Sequence, residues 1–274
     1  MLYFKKKKGV ATVTHKERVE KHLSLSKEKL PEIHCYKITD STNTRAKEYA
    51  KNRNTGVTSP AVFIAEEQTG GRGRLGRSFH SPCGGVYISF LIYPDAKAEK
   101  ATALTAYAAV KLVKAVRELV GIEPSIKWVN DLFLGGKKLA GILTEGEISP
   151  DGNLAYAICG IGINLRNNSF PEEISTIATS VEEKTGVILD TALVTAKIID
   201  AFLEDFEDFL SPRFFEEYKR LSLTLGKEVT VLAEPPYNGI ATDILPDYSL
   251  LVKTECDVRR VYTGEISIRH KSKA

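Results

Sequence analysis

The sequence predicts an α/β (α+β) protein in which a large domain, with a mixed, largely antiparallel sheet and packed helices, precedes a small C-terminal all-β barrel domain. Three observations carry this expectation. Strand-like and helix-like patterns alternate from about Ile33 to Leu223, as in a layered domain. Helical spacing stops after Leu225, where short strand-like runs separated by Pro, Gly and Asp take over. The 274 residues, 43% hydrophobic and 27% charged, suffice for one large core and a small one. The expected divisions are 1-30, an N-terminal tail or short helix, then 31-224 and 225-274.

Taken in order, Val13 to Leu30 could form a helix. Asp40, Ser41, Thr42 and Asn43 precede a polar helical stretch to Lys51, with Ser41 or Thr42 the natural N-cap. Ala61 to Ala65 and Val86 to Tyr93 read as buried strands on either side of a Gly/Arg-rich loop. Ala98 to Val120 carries Leu104, Ala108, Leu112, Val113 and Val116 near helical spacing, a long amphipathic helix ended by Gly121 and Pro124. Ser125 to Val129 reads as a short strand. Asp131 to Leu134 and Lys138 to Glu147 form a strand pair joined at Gly135-Gly136, residues that tolerate the positive φ angles of a tight hairpin. Ala155 to Asn164 is a further strand. Glu172 to Thr185, Asp190 to Leu210 and Phe214 to Leu223 look helical. Val229 to Leu232, Gly239 to Ile244, Ser249 to Lys253, Arg259 to Tyr262 and Glu265 to Ile268 are the short strands of the second domain.

Composition excludes several classes. The longest apolar runs, Val86 to Ile92 and Ala155 to Ile163, fall well short of the roughly 20 residues that span a bilayer. The basic run Lys5 to Lys8 has no apolar stretch behind it, so it is not a secretory signal. Cys35, Cys83, Cys159 and Cys256 are scattered without metal spacing and read as reduced thiols of a cytoplasmic protein. A net charge of +3 is small for this length and makes DNA binding an unlikely role.

Gly71-Arg72-Gly73-Arg74-Leu75-Gly76 contains a literal Gly-x-Gly-x-x-Gly, yet an apolar β-run follows it, not the helix a dinucleotide site requires. The Walker and kinase patterns are absent as well. What remains is Arg72, Arg74 and Arg77 on a glycine-rich backbone. Arginine's planar fork suits phosphate and carboxylate oxygens, so the loop reads as an anion clamp, with a basic surface loop as the plainer alternative. The second constellation is Lys127-Trp128-Val129-Asn130-Asp131 and, past the hairpin, Lys138 to Glu145. A lysine on a stiff strand can neutralise a carboxylate attacking phosphorus, although single lysines are more often solvated.

Ser41-Thr42-Asn43, Glu67 to Arg77, Lys127 to Asp131, Lys138 to Glu145, Gly160 to Leu165 and Thr263-Gly264-Glu265-Ile266 together resemble the biotin protein ligase family, in family order. The resemblance implies a ligase that forms biotinyl-5′-AMP from biotin and ATP and transfers biotin to a lysine of a biotin carboxyl carrier protein, as in acetyl-CoA carboxylase or a related biotin-dependent enzyme. It implies catalytic roles for Lys138 and Arg74. It implies biotin contacts from Ser41, Thr42, Asn43, Gln68, Arg72, Gly73, Arg74, Lys138 and Gly141. For ATP and the adenylate it implies Arg72, Arg74, Arg77, Phe79, Lys127, Trp128, Asn130, Asp131 and Asn164, with Mg²⁺ arriving on ATP and no dedicated protein metal site. Gly141, Gly160 and Gly162 would approach the ligand closely or simply sit in bends, and Asn130-Asp131 also suits an ordinary strand-end turn.

The chain departs from the family pattern at Val129, where many relatives have proline, and at Phe79, where some have tryptophan. Too few residues precede Asp40 for the helix-turn-helix repressor module of some relatives, so a ligase without that module is expected. Residues 1–25 carry none of the matched motifs and are expected to be dispensable for ligation. Competing readings are a lipoate ligase or acyl transferase of related fold and a biotin-responsive DNA regulator. An exposed sheet edge could pair with a second copy, giving a homodimer, or with the carrier.

Overall fold

The computed structural model describes residues 14–53, 56–166, 170–262 and 264–268. The Lys5 to Lys8 run lies outside them. Helix α1 (His15–His22) opens on a capping box, in which Thr14 accepts from the Glu17 backbone N–H and Glu17 accepts from that of Thr14. Only this part of the expected Val13 to Leu30 helix forms, because Leu23 turns extended and residues 27–29 make a single 3₁₀ turn.

Strand β1 (Glu32–Thr39), helix α2 (Thr42–Asn52), strands β2 (Ala61–Gln68) and β3 (Val86–Ile92), and helix α3 (Ala101–Val120) follow. Gly121 ends α3 at φ +70°, the left-handed cap its sequence predicts. Strands β4 (Ser125–Lys127), β5 (Asp131–Leu134), β6 (Lys137–Ile148) and β7 (Leu154–Ile163) complete a seven-stranded sheet of order β1-β2-β3-β7-β6-β5-β4. Only the β1–β2 pair is parallel. Gly135 and Gly136 turn the β5–β6 hairpin at φ 57° and 78°. β3 is buried along its whole length, as befits a strand with a neighbour on each side and helices over its faces.

Alternation sorts the β2 side chains. Val62 and Ile64 enter the main core, whereas Ala61 and Phe63 pack with Ala46 of α2 on the opposite face. Short helices α4 (Glu172–Ser175) and α5 (Val181–Thr185) lead to α6 (Thr191–Glu204), capped by Asp190, and α7 (Pro212–Arg220). α6 packs on α3 and carries α1, whose Val19 is fully buried. Arg18 pairs with Asp190 at 2.6 Å, and the Asp200 carboxylate accepts from the Ser24 N–H at 3.0 Å. Residues 14–25 are therefore docked on the domain.

Two local expectations are corrected. The single helix expected over Glu172 to Thr185 is broken, because residues 176–180 leave it and run beside β6. β7 ends opposite Ala140, which leaves the Lys138 backbone without a strand on that side. The Lys138 N–H donates to Ile177 O at 2.7 Å, and the Thr179 N–H donates to Lys138 O at 2.9 Å. Unpaired backbone groups are satisfied at the expense of a helix. The strand expected over Ser125 to Val129 stops at Lys127. Lys127 pairs with Asp131, so Trp128, Val129 and Asn130 form the connection, and the Trp128–Val129 peptide is cis.

Strands β8 (Glu228–Val231), β9 (Tyr237–Ile244), β10 (Leu250–Lys253), β11 (Val258–Val261) and β12 (Ile266–Ile268) build a separate antiparallel sheet of order β11-β10-β9-β8-β12. Its apolar side chains join the same continuous core as the larger sheet. No helix of the described residues is long and apolar enough to cross a membrane.

Candidate active site

A cleft opens between the N-terminus of α2, the Gly/Arg loop and the adjoining strands β6 and β7. Its floor is neutral and hydrogen-bonded. Ser41 takes the N-cap position of α2 but its side chain caps no backbone N–H, while the Gln68 side chain, from β2, accepts from Thr42 N, the first amide of the helix, at 2.8 Å. Ser41 is thereby left to line the cleft beside Thr42 and Asn43. The Asn43 amide donates to Glu145 Oε2 at 2.7 Å, and its oxygen accepts from the buried Ser89 hydroxyl at 2.6 Å. Strand β7 approaches closely here. A Cβ on Gly160 would lie 2.1 Å from Asn43 Oδ1, and one on Gly162 would lie 2.6 Å from the Phe79 ring.

The Gly/Arg loop forms the roof, and it is a small hairpin. Gln68 bridges Ser81, Arg72 bridges Ser78, and Gly73 N–H donates to Arg77 O at 2.7 Å. Its tip carries Leu75 and Gly76 at φ 53° and 75°, the mirror-image turn that follows strand twist. No helix starts there, in keeping with the rejection of a dinucleotide loop. Arg72 meets Glu145 at 2.9 Å, Arg74 donates to Asn130 Oδ1 at 3.2 Å, and Arg77 pairs with Glu265 just ahead of β12. Asn130 is itself fixed to β6 by two bonds with Ile142, at 2.8 and 2.9 Å.

Lys138, the second residue of β6, pairs with Asp131 at 2.7 Å, and its ammonium stands 6.0 Å from the Phe79 ring centroid. Its backbone is gripped on one side by β5 and on the other by residues 177–179. The cleft is lined by four cations, Arg72, Arg74, Arg77 and Lys138, against the carboxylates Asp131 and Glu265, with Glu145 paired to Arg72 behind the lining. A partly enclosed site with this imbalance attracts phosphate and carboxylate groups. Among the described residues, no three His, Cys, Asp or Glu side chains converge to hold a metal.

The cleft thus gathers Ser41, Thr42, Asn43, Gln68, Arg72, Gly73, Arg74, Arg77, Phe79, Asn130, Asp131, Lys138 and Gly141 from segments far apart in sequence. Three other residues singled out from the sequence stand behind its wall. Trp128 is buried, and its indole N–H donates to Tyr248 O at 2.8 Å, joining the two sheets. The Asn164 amide donates to Thr179 O at 3.1 Å and steadies the segment that grips Lys138. Lys127 lies 5.7 Å from the Phe133 ring, and burial holds its ammonium below the usual lysine range, with Asp131 opposing that shift. Ser89 escaped the sequence reading, although a serine among apolar neighbours in β3 was a legible signal, and Glu145 closed the matched Lys138 to Glu145 segment without a role being assigned to it.

Comparison with known proteins gives this cleft its class. The model of the Biotin/lipoate A/B protein ligase family matches residues 35–164. The Bifunctional ligase/repressor BirA of Bacillus subtilis is 34% identical over 239 residues, 84% of this chain and 72% of that protein. The Biotin--[acetyl-CoA-carboxylase] ligase of Paracoccus denitrificans is 35% identical over 181 residues, covering 64% of this chain and 68% of that protein. Among solved structures, the biotin protein ligase from Aquifex aeolicus in complex with biotin and ATP superposes with a TM-score of 0.73 at 32% identity, covering 88% of this chain and 100% of that one. The chain is an enzyme of the ligase class. It belongs to the biotin/lipoate A/B protein ligase family.

Proposed function

We propose that this enzyme is a cytoplasmic ligase that activates biotin with ATP and attaches it to a lysine of a biotin carboxyl carrier protein. One observation carries the reading: the cleft has a neutral hydrogen-bonding floor at one end and a group of cations at its roof and ledge. Biotin has a matching polarity, with a neutral ureido ring at one end and a carboxylate at the other. Ser41, Thr42, Asn43 and Gln68 hold the ring, and Gly141 with its neighbouring glycines gives the acyl chain room. The carboxylate then lies near Lys138 and Arg72.

In the first step a biotin carboxylate oxygen attacks the α-phosphorus of ATP, the bond to the pyrophosphate oxygen breaks, and biotinyl-5′-AMP forms. Lys138 and Arg74 stabilise charge on the reacting oxygens, and Arg77 of the same hairpin holds phosphates. The nucleotide lies toward Arg77, Phe79, Asn130 and Asp131, with Lys127, Trp128 and Asn164 supporting that wall. Mg²⁺ arriving on ATP would neutralise phosphate charge, and Asp131 would be the cleft carboxylate on the nucleotide side to face it. In the second step the acceptor lysine nitrogen attacks the acyl carbon, the bond from that carbon to the bridging oxygen breaks so that AMP departs with this oxygen, and the amine loses a proton. The chemistry needs positioning and electrostatics and no protein nucleophile.

The test is pyrophosphate exchange into ATP with biotin or lipoate as the acid, followed by mass spectrometry of a carrier domain. Biotin-dependent exchange and a single modified lysine are expected. Exchange that responds to lipoate and ignores biotin would transfer the assignment to the other branch of the family.

A further inference from the structure

The two arms of the Gly/Arg hairpin are tied together through the floor of the cleft. On the first arm, Arg72 Nη2 donates to Glu145 Oε2 at 2.9 Å. The same oxygen accepts from Asn43 Nδ2 at 2.7 Å. Ser89 Oγ offers its proton to Asn43 Oδ1 or Thr42 Oγ1, at 2.6 and 2.7 Å. The Thr42 N–H and hydroxyl both point at Gln68 Oε1, and Gln68 Nε2 donates to Ser81 Oγ at 3.0 Å on the second arm. Ser81 closes the circuit on Phe79 O at 2.9 Å.

Glu145 is the junction of this circuit, the one carboxylate in it and the link between a loop guanidinium and the floor. We propose that Glu145 is a positioning residue of the ligase reaction, aiming Arg72 into the cleft and coupling occupancy of the floor to the order of the hairpin. The inference rests on the reading of the cleft given above. A guanidinium has five N–H donors. With Nη2 held by Glu145, the remaining donors stay available to an incoming carboxylate, and the long side chain is already ordered when that anion arrives. A ring seated against Asn43 and Ser89 presses on the same hydrogen bonds that hold Arg72, so networked groups respond together. The side chains of Arg72 and Glu145 are 43% and 27% exposed, and pairs so exposed contribute little to global stability. The effect of Glu145 therefore belongs in substrate binding and loop order.

The experiment uses the full chain. Glu145→Met keeps the volume and removes both contacts, whereas Glu145→Gln keeps an oxygen that accepts from Asn43 and Arg72. In unliganded protein, hydrogen exchange of the amides of residues 71–79 should rise about fivefold in Glu145→Met and stay near wild type in Glu145→Gln. The KM for biotin should rise about tenfold with the KM for ATP little changed, and Glu145→Met combined with Arg72→Ala should be no worse than Arg72→Ala alone. A folded Glu145→Met protein with wild-type hairpin exchange, or additive effects in the double variant, would overturn the inference. Absence of biotin-dependent turnover in wild type would instead overturn the function, and the exchange arm, which needs no substrate, would still decide the role of Glu145.

Discussion

Gly160→Ala is expected to unseat Asn43 and with it the binding floor. Gly160 lies inside β7, paired with Ser89 of β3 and Leu143 of β6, so its backbone has no room to move away. An added Cβ would stand 2.1 Å from Asn43 Oδ1, 2.9 Å from Cγ and 3.1 Å from Nδ2. Comfortable contact needs about 3.5 Å, so the Asn43 side chain must retreat by more than about 1 Å and release Ser89 and Glu145. Elsewhere in a strand, Gly→Ala commonly stabilises by about 0.4 to 1 kcal/mol through the unfolded chain. Here overpacking costs about 1 to 3 kcal/mol, and two lost hydrogen bonds cost about 1 kcal/mol each. The steric side wins, leaving a net loss of about 2 to 5 kcal/mol. Urea unfolding measures it, and the KM for biotin should rise in parallel. Adding Asn43→Ala to Gly160→Ala should recover the overpacking part of the loss, because the obstruction is gone, but neither the two hydrogen bonds nor binding. A Gly160→Ala protein as stable as the parent, with an unchanged KM, would refute the close approach.

Lys138→Ala should leave the fold intact and slow biotin-dependent pyrophosphate exchange by about 10² to 10³, the loss typical of one fixed group stabilising reacting oxygens; exchange at the wild-type rate would remove Lys138 from the reaction. Trp128→Phe keeps the ring packing but loses the bond to Tyr248 O, and should lower stability by about 1 kcal/mol in urea with turnover little changed in the folded fraction. Lys127 has its folded pKa depressed by burial, so between that value and the ordinary lysine value the unfolded chain binds more protons than the native one. Its contribution to stability must then rise with pH across that window, and subtracting the stability profile of Lys127→Met from that of wild type should show this upward slope, whereas a flat or falling difference contradicts it. Deleting residues 1–25 should leave the KM values of the folded protein unchanged but destabilise it by about 1.5 to 3 kcal/mol through the loss of Val19 alone, since Val19 is fully buried against the domain; a truncated protein of undiminished stability would show the docking to be weak.

What the sequence by itself determined was everything governed by local periodicity and turn chemistry. The buried run of β3, the left-handed Gly121 cap of α3, the Gly135-Gly136 hairpin and the change to short strands after Leu225 all follow from side-chain spacing and from φ angles that glycine adopts readily. The rejection of a dinucleotide loop also rested on local pattern, the β-run after Gly85, and the hairpin found there agrees with it. Tertiary structure decided where long-range partners lie. Glu145 reaches Asn43 across 102 positions of chain, a relation set by the β6–β7 register and the seat of α2, and no short window contains it. Residues 176–180 read as helix because their own propensities allow it, and they leave the helix because the backbone of Lys138 has no other partner on that side. Trp128 sits among the matched motif residues in the sequence, yet it faces the second sheet, because burying a large ring and satisfying its N–H with Tyr248 O requires a surface that exists only after the chain has folded.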